Sequence, residues 1–289
     1  MKIILLLLSI SILSASGQKK SMSIPFKLTK YNNISVQAVL NKTDTVTLML
    51  HTAASSVTLI ESAVSKIKSL TFTDTDTVKS WGGKNAARFS ENNSLQIGKF
   101  QFNNISIWEN KYSGQETDGK FGLDLFKDKY VKLDFRNRVL VISTALPGNI
   151  KNFEKHKLIV ENDMMFLKAV ITVQDTSMEN NFLIHSGYSG SILLDDQFVS
   201  TCKLDDRLKK TGEKNLQDSY GNTIKTIEAV IPEFNIGTIK LFEVPVGFFP
   251  GSLGIQKMSV IGGNILKKFI IIIDPKREYI YLIPNNRNV

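Results

Sequence analysis

The chain has 289 residues, of which 42% are hydrophobic, and a formal net charge of +9 at pH 7. This length suits one large domain or two modest lobes, and the apolar content is enough for a buried core. The single cysteine, Cys202, excludes an internal disulfide. The basic residues are spread along the chain, which is typical of a solvated surface, so we expect no nucleic-acid partner. No stretch is typical of a nucleotide-binding loop or a paired-cysteine metal site, and no cofactor is predicted.

The first 17 residues are predicted to be a signal peptide. Lys2 supplies a charged start, residues 3–13 an apolar run, and residues 15–17 a cleavage site of small residues. The apolar run is too short for a comfortable membrane span. We therefore expect no membrane span in a mature chain that begins near Gln18 and is secreted or periplasmic.

Short alternating runs of apolar and polar residues follow, separated by turn residues, and they predict an all-β protein. The predicted strands include residues 34–40, 45–51, 138–143, 167–173, 224–231 and 269–274. Residues 71–79 are predicted to form an exposed strand and turn. The segments predicted to be helical are residues 61–69, 118–126 and 195–203.

The chain contains two copies of one pattern. The first half carries five landmarks, in the order His51, Trp81, Gly98, Gly122 and Asp134. The second half carries the matching series His185, Tyr220, Gly237, Gly262 and Asp274. The aromatic residue and the first glycine are 17 residues apart in both series, the two glycines 24 and 25 apart, and the second glycine and the aspartate 12 apart in both. This agreement indicates an internal duplication.

The duplication predicts two homologous lobes, residues 21–146 and 155–286, joined by a linker at residues 147–154. Similar lobes tend to pack about an approximate two-fold axis, so that corresponding loops meet across it. We therefore expect His51 and His185 to face each other, within direct contact or one water. The aspartates of the two series are predicted to be turn or salt-bridge residues.

The stretches "LMLHTAASSVTLI" (residues 48–60) and "FLIHSGYSGSILL" (residues 182–194) resemble the active-site segments of aspartic peptidases of the pepsin and retropepsin type. In that family each lobe presents a strand, an Asp-Thr/Ser-Gly turn and another strand. His51 and His185 stand where the family has its aspartates, and Ala53 stands where the first turn has glycine. The resemblance implies an all-β, two-lobe fold with a substrate cleft between the lobes. It also implies a monomer, because one chain supplies both lobes.

The resemblance assigns the dyad positions to His51 and His185, with Thr52, Ser186 and Gly187 as the other turn residues. In the family, two carboxylates share one proton, and one acts as acid while the other acts as base. An imidazole offers a single acceptor nitrogen when neutral and none when charged. We therefore expect an inactive peptidase relative whose cleft binds an extended peptide or polypeptide.

Two other interpretations remain open. The pair His51 and His185 could support hydrolysis by an altered dyad, or it could bind a metal such as zinc or copper. Trp81 and Tyr220 are candidates for substrate binding, because the Trp81 position belongs to a hairpin flap over the substrate in the family. Both could instead be aromatic anchors of ordinary hairpin turns.

Overall fold

The computed structural model describes residues 21–80, 83–251 and 254–285. The predicted signal peptide and Trp81 lie outside these residues. No helix within the described ranges is long and apolar enough to cross a membrane.

The first half of the described chain is built almost entirely from strands. They are β1 (Ser21–Pro25), β2 (Lys27–Leu28), β3 (Ile34–Leu40), β4 (Asp44–Leu50), β5 (Val57–Ile60), β6 (Asp74–Ser80), β7 (Gly83–Ile97), β8 (Phe100–Asn110), β9 (Gly119–Phe121), β10 (Tyr130–Asp134) and β11 (Val139–Ser143). A single helical turn, α1 (Glu61–Val64), follows β5, and a 3-10 turn (Leu123–Phe126) follows β9.

The second half repeats this construction. Its strands are β12 (Glu154–Glu161), β13 (Met164–Val173), β14 (Thr176–His185), β15 (Ile192–Leu193), β16 (Lys209–Gln217), β17 (Thr223–Ile236), β18 (Ile239–Phe248), β19 (Ser259–Gly262), β20 (Phe269–Ile273) and β21 (Tyr279–Pro284). Its helices are α2 (Asp196–Thr201), α3 (Leu204–Arg207) and α4 (Gly263–Leu266). The prediction of an all-β protein is confirmed, and each stretch predicted as a strand overlaps an observed one.

The strands form two sheets, which correspond to two lobes. An 8-stranded sheet has the order β2-β3-β4-β9-β5-β8-β7-β6 and lies entirely in the first half. A 13-stranded sheet has the order β1-β11-β10-β20-β21-β12-β13-β14-β19-β15-β18-β17-β16. Strands of the two halves meet inside it, where β10 pairs with β20 in antiparallel register from Val131↔Ile273 to Asp134↔Ile270. One continuous cluster of buried apolar side chains draws members from both halves.

The duplicated glycines occupy equivalent places. β4 runs parallel to β9, and β14 runs parallel to β19, so that each histidine strand has a short strand beside it. Gly122 and Gly262 each precede a short helical turn in extended backbone geometry. A Cβ on Gly122 would lie 2.0 Å from the Ala54 carbonyl oxygen, and one on Gly262 would lie 2.3 Å from that of Gly190. Only glycine fits at either position, because the backbone of the histidine turn passes directly over it.

The aspartates that end the two series are turn residues, as predicted. Asp134 Oδ1 accepts a hydrogen bond from the backbone N–H of Asn137, and Asp134 Oδ2 pairs with Lys132 at 3.0 Å. Asp274 Oδ1 accepts from the backbone N–H of Tyr279 at 2.7 Å. Both carboxylates are therefore engaged where their strands end.

The helical predictions were only partly right. Residues 195–203 contain α2, whose first turn is capped by Asp195 Oδ1 accepting from the Phe198 N–H at 2.7 Å. Residues 61–69 form only the single turn α1, which has no side-chain cap at its start. Residues 118–126 include β9, in which Gly119 lies against the carbonyl of Thr58. The chain becomes helical only after Gly122. In the segment predicted as an exposed strand and turn, residues 74–79 belong to β6.

Candidate functional site

The two histidines meet between the lobes. His51 directly follows β4, and its N–H donates to the Phe121 carbonyl at 2.9 Å. His185 is the last residue of β14. The ring centroids are 4.4 Å apart and the ring planes are inclined by 60°. The expectation that the two rings lie within direct contact or one water of each other is confirmed, and the contact is direct.

Thr52 and Ser186 join the two histidine turns by a reciprocal set of hydrogen bonds. Thr52 Oγ1 accepts from the Ser186 N–H at 3.0 Å and donates to the Ile184 carbonyl at 2.6 Å. Ser186 Oγ accepts from the Thr52 N–H at 3.0 Å and donates to the Leu50 carbonyl at 2.6 Å. Both hydroxyl groups are buried, and each acts as donor and as acceptor in hydrogen bonds that join the two turns. These four bonds fix the positions of the histidines that adjoin them.

Gly187, in the turn after His185, leaves space for the ring of His51. A Cβ on Gly187 would lie 2.4 Å from His51 Cδ2 and 2.7 Å from His51 Nε2. The first-lobe turn has Ala53 at the matching position, and this alanine carries a methyl group there. The two turns therefore offer different surroundings to the two rings.

Both imidazoles are held in the neutral form. Burial, the neighbouring His185 and the charge of Lys120 hold the pKa of His51 well below its usual value. Burial and Lys120 lower the pKa of His185 to about 4. Desolvation and like charge both disfavour the protonated ring. At neutral pH the pair carries no charge.

Lys120 is a member of the site that the sequence analysis did not identify. It lies in β9, where it pairs with Met49 on one side and Thr58 on the other, and Thr58 pairs in turn with Trp108. These four side chains form one row across the sheet, and all of them line the space between the lobes. Burial lowers the pKa of Lys120 to about 8. Lys120 therefore remains largely protonated at neutral pH and faces two neutral imidazoles.

The carboxylates that line the same space are already engaged. Glu109 makes a bidentate pair with Arg88, with both N–O distances at 2.7 Å. Asp218 accepts from the N–H groups of Tyr220 and Asn222 and from the Asn222 side chain. Among the described residues, no ion pair or hydrogen bond joins either carboxylate to Lys120. The cleft therefore has a positive centre.

The cavity between the lobes measures about 600 Å³, and both histidines line it. Tyr220 lies at its edge, in the hairpin turn between β16 and β17. The tip of this turn also meets the first lobe, since the Tyr112 N–H donates to the Ser219 carbonyl at 2.9 Å. A Cβ on Gly221 would lie 2.8 Å from the Tyr112 ring. Tyr220 is thus both a turn residue and a cavity residue, whereas Trp81 lies outside the described part of the chain.

Comparison with known proteins addresses the architecture. The crystal structure of aspartic proteinase from Irpex lacteus is similar, with a TM-score of 0.60 over 92% of this chain and 98% of that chain and 11% sequence identity. The chain has the pepsin-like two-lobe fold. Residues 36–125, which include the first histidine turn, match the family model described as aspartyl protease. No curated protein matches this sequence.

In this pepsin-like fold the histidine pair lacks the surroundings of a metal site. No group of three or more His, Cys, Asp or Glu side chains suited to a metal occurs within the residues described. A structural zinc has four ligands, and a catalytic zinc generally has three from the protein. The lysine ammonium beside the rings would also repel a cation. The donor set present therefore does not fit the metal interpretation.

The sequence around Lys120 has a feature that identifies this residue as a functional candidate. The segment "GKFG" (residues 119–122) places a lysine among glycine and aromatic residues, without another charged residue beside it. Lysine is almost never buried unless it is paired, so a lysine inside a buried strand is a functional candidate. Trp108 gave no such signal, because its position in the cavity depends on the pairing of β5 with β8.

Proposed function

We propose that this protein is a non-catalytic relative of the aspartic peptidases that binds an extended polypeptide in the cleft between its lobes. One observation carries the proposal: the imidazoles of His51 and His185 are in contact between the lobes, with ring centroids 4.4 Å apart, and burial holds the pKa of each below its usual value. We assign this pair to the dyad position of the fold. The family's reaction needs one group that takes a proton from water and one that gives a proton to the substrate. When both imidazoles are neutral, the pair contains no acidic group that could give a proton to the substrate.

The alternative of a histidine-based hydrolase is less well supported. A general base works best when its pKa lies near the operating pH. His185, with a pKa of about 4, is a weak base at neutral pH. Lys120 could stabilise negative charge, but it also lowers the basicity of both rings. We therefore favour binding over turnover.

The cleft has the features that an extended chain would use. Its volume of about 600 Å³ can take several side chains. Its lining combines aromatic side chains, such as Trp108 and Tyr220, with polar groups. An extended peptide gains affinity from main-chain hydrogen bonds and specificity from pockets that receive alternate side chains.

We expect a mixed peptide library to be bound but not cleaved between acid and neutral pH. Mass spectrometry of the digest measures cleavage, and fluorescence polarisation of labelled library members measures binding. The matched variants are Tyr220→Ala, which should weaken binding several-fold, and Phe242→Ala, which removes an exposed ring outside the cavity and should leave binding unchanged.

Two outcomes would contradict the proposal. Cleavage that copurifies with the protein and disappears in His51→Ala or His185→Ala would favour the hydrolase. Absence of binding by any library member would argue against a polypeptide ligand. The triple variant His51→Asp, His185→Asp, Ala53→Gly restores the family pattern of the two turns, and weak cleavage by it would further support the assignment of the dyad positions.

We also propose that the protein is exported and monomeric. The pattern of residues 1–17 supports export, and N-terminal sequencing of the mature protein should then begin near Gln18. One chain contains both histidine turns, which supports a monomer. Sedimentation equilibrium would test the oligomeric state.

A further inference from the structure

The cleft contains a cation without a counter-ion. Lys120 is partly buried in the lining of the cavity, and within the described residues its side chain has no ion pair and no hydrogen bond. A charge that is partly removed from water and lacks a partner is costly, so natural proteins seldom keep one without a use. The two carboxylates that line the cavity do not supply the partner, because Glu109 is paired with Arg88 and Asp218 caps its own hairpin turn.

The imidazoles have unused hydrogen-bonding capacity at the same place. His51 is 9% exposed, and His51 Nδ1 and His185 Nδ1 are both buried without a hydrogen-bond partner among the residues described. A buried polar atom of this kind is usually satisfied by water or by a ligand. A group with several acceptor atoms could receive hydrogen bonds from a lysine ammonium and from imidazole N–H groups together.

We propose that the polypeptide bound in this cleft presents a carboxylate to Lys120, with the imidazoles of His51 and His185 beside it. The inference rests on the proposed function and names the chemistry of the ligand. It reverses the charge relation of a carboxylate dyad: the negative charge is on the ligand and the positive charge is on the protein. The carboxylate belongs either to an acidic side chain or to the C-terminus of the bound chain, and the test separates these sources.

Binding of a carboxylate would be coupled to protonation. An anion next to these groups favours their charged forms and raises the pKa of each. Lys120, with a pKa of about 8 in the free protein, loses its charge as the pH rises above that value. The affinity for the anion should therefore fall by up to about tenfold per pH unit above pH 8, until the pKa of the complex is reached.

The test uses short probes and one peptide series on the full mature protein. The small probes are N-acetyl-aspartate amide, which has only a side-chain carboxylate, N-acetyl-alanine, which has only a terminal one, and N-acetyl-asparagine amide, which has none. Their binding is followed by the histidine resonances in ¹⁵N NMR spectra. A library member that binds is then compared in forms with Asp or Asn in the chain and with a free or amidated C-terminus.

The matched variants separate the charge from the fold. Lys120→Met keeps the length of the side chain and removes its charge, and Lys120→Arg keeps the charge. Lys99→Met removes the charge of an exposed lysine in the turn between β7 and β8. Thermal melting of each variant confirms that the protein is folded before binding is measured.

We expect at least one carboxylate probe to shift the histidine resonances, while the asparagine probe does not. In the wild type and in Lys99→Met, the acidic or free-acid peptide should bind at least tenfold more tightly than its neutral form. This preference should be lost in Lys120→Met and retained in Lys120→Arg. Peptides that bind equally with and without a carboxylate would overturn this inference and leave the proposed function standing. Carboxylate probes that bind when no peptide does would support the anion site and overturn the polypeptide ligand. A lack of response to every probe and peptide would overturn both.

Discussion

The burial of His51 and His185 links the charge state of the site to the stability of the protein. The pKa of His185 is about 4 in the folded protein, against about 6.5 for an unperturbed histidine. The unfolded chain therefore binds protons more readily, and protonation favours unfolding. The stabilising contribution is fully present above about pH 6.5 and is lost as the pH falls through 4.

We expect the wild-type protein to lose stability steeply on acidification for this reason. For His185 the difference in pKa corresponds to about 3 kcal/mol when the loss is complete. Urea unfolding from pH 8 to pH 4 should show this loss, and it should be much smaller in His51→Gln/His185→Gln, because glutamine does not titrate. If the two proteins lose stability in parallel, the histidines are not the cause.

The turns that carry these histidines are joined by the four hydrogen bonds of Thr52 and Ser186. We expect Thr52→Val to reduce the free energy of unfolding by about 2 to 4 kcal/mol, because the Ser186 N–H and the Ile184 carbonyl lose their buried partner. Urea unfolding measures this effect. Thr75→Val, at an exposed position of β6, is the control and should change stability by less than about 0.5 kcal/mol.

A double-variant cycle identifies the bonds as one unit. If Thr52 and Ser186 act together, Thr52→Val/Ser186→Ala should cost clearly less than the two single changes combined. Additive losses would mean that each hydroxyl stabilises its own turn independently, and they would contradict the account of a joined pair.

These turns also show what the sequence could and could not predict. The spacing of the landmarks was enough to predict the meeting of His51 and His185, since duplication fixes which loops correspond. Lys120 and Trp108 share a row only through the antiparallel pairing of β5 with β9 and the parallel pairing of β5 with β8. Such pairings join residues far apart in sequence, and periodicity within one strand does not reveal them.

The short helices were hard to predict for a different reason. Residues 118–126 have apolar residues at helical spacing, yet the chain is extended at Gly119 because a neighbouring strand lies in contact with it. Tertiary packing therefore overrides the local preference. The sequence pattern records the preference but not the neighbour.

The whole molecule is more strongly joined than two separate lobes would be. β1, β10 and β11 of the first half belong to the same sheet as β20, β21 and β12 of the second, and the β10–β20 pairing crosses between the halves. The buried apolar cluster is also continuous. Separation of the halves would expose the paired edges of β10 and β20 and part of the buried cluster to solvent.

We accordingly expect the two halves to unfold in one transition. Both tryptophans, Trp81 and Trp108, lie in the first half, so their fluorescence follows that half, whereas far-ultraviolet circular dichroism follows the strands of both. Urea titrations monitored by the two signals should have the same midpoint, because a single cooperative transition makes all probes coincide.

As a control, Leu133→Lys places a charge in the buried β10–β20 pairing and should lower both midpoints together. A fluorescence midpoint that differs from the dichroism midpoint would mean that the halves unfold independently. The shared sheet would then contribute less to stability than its pairing indicates.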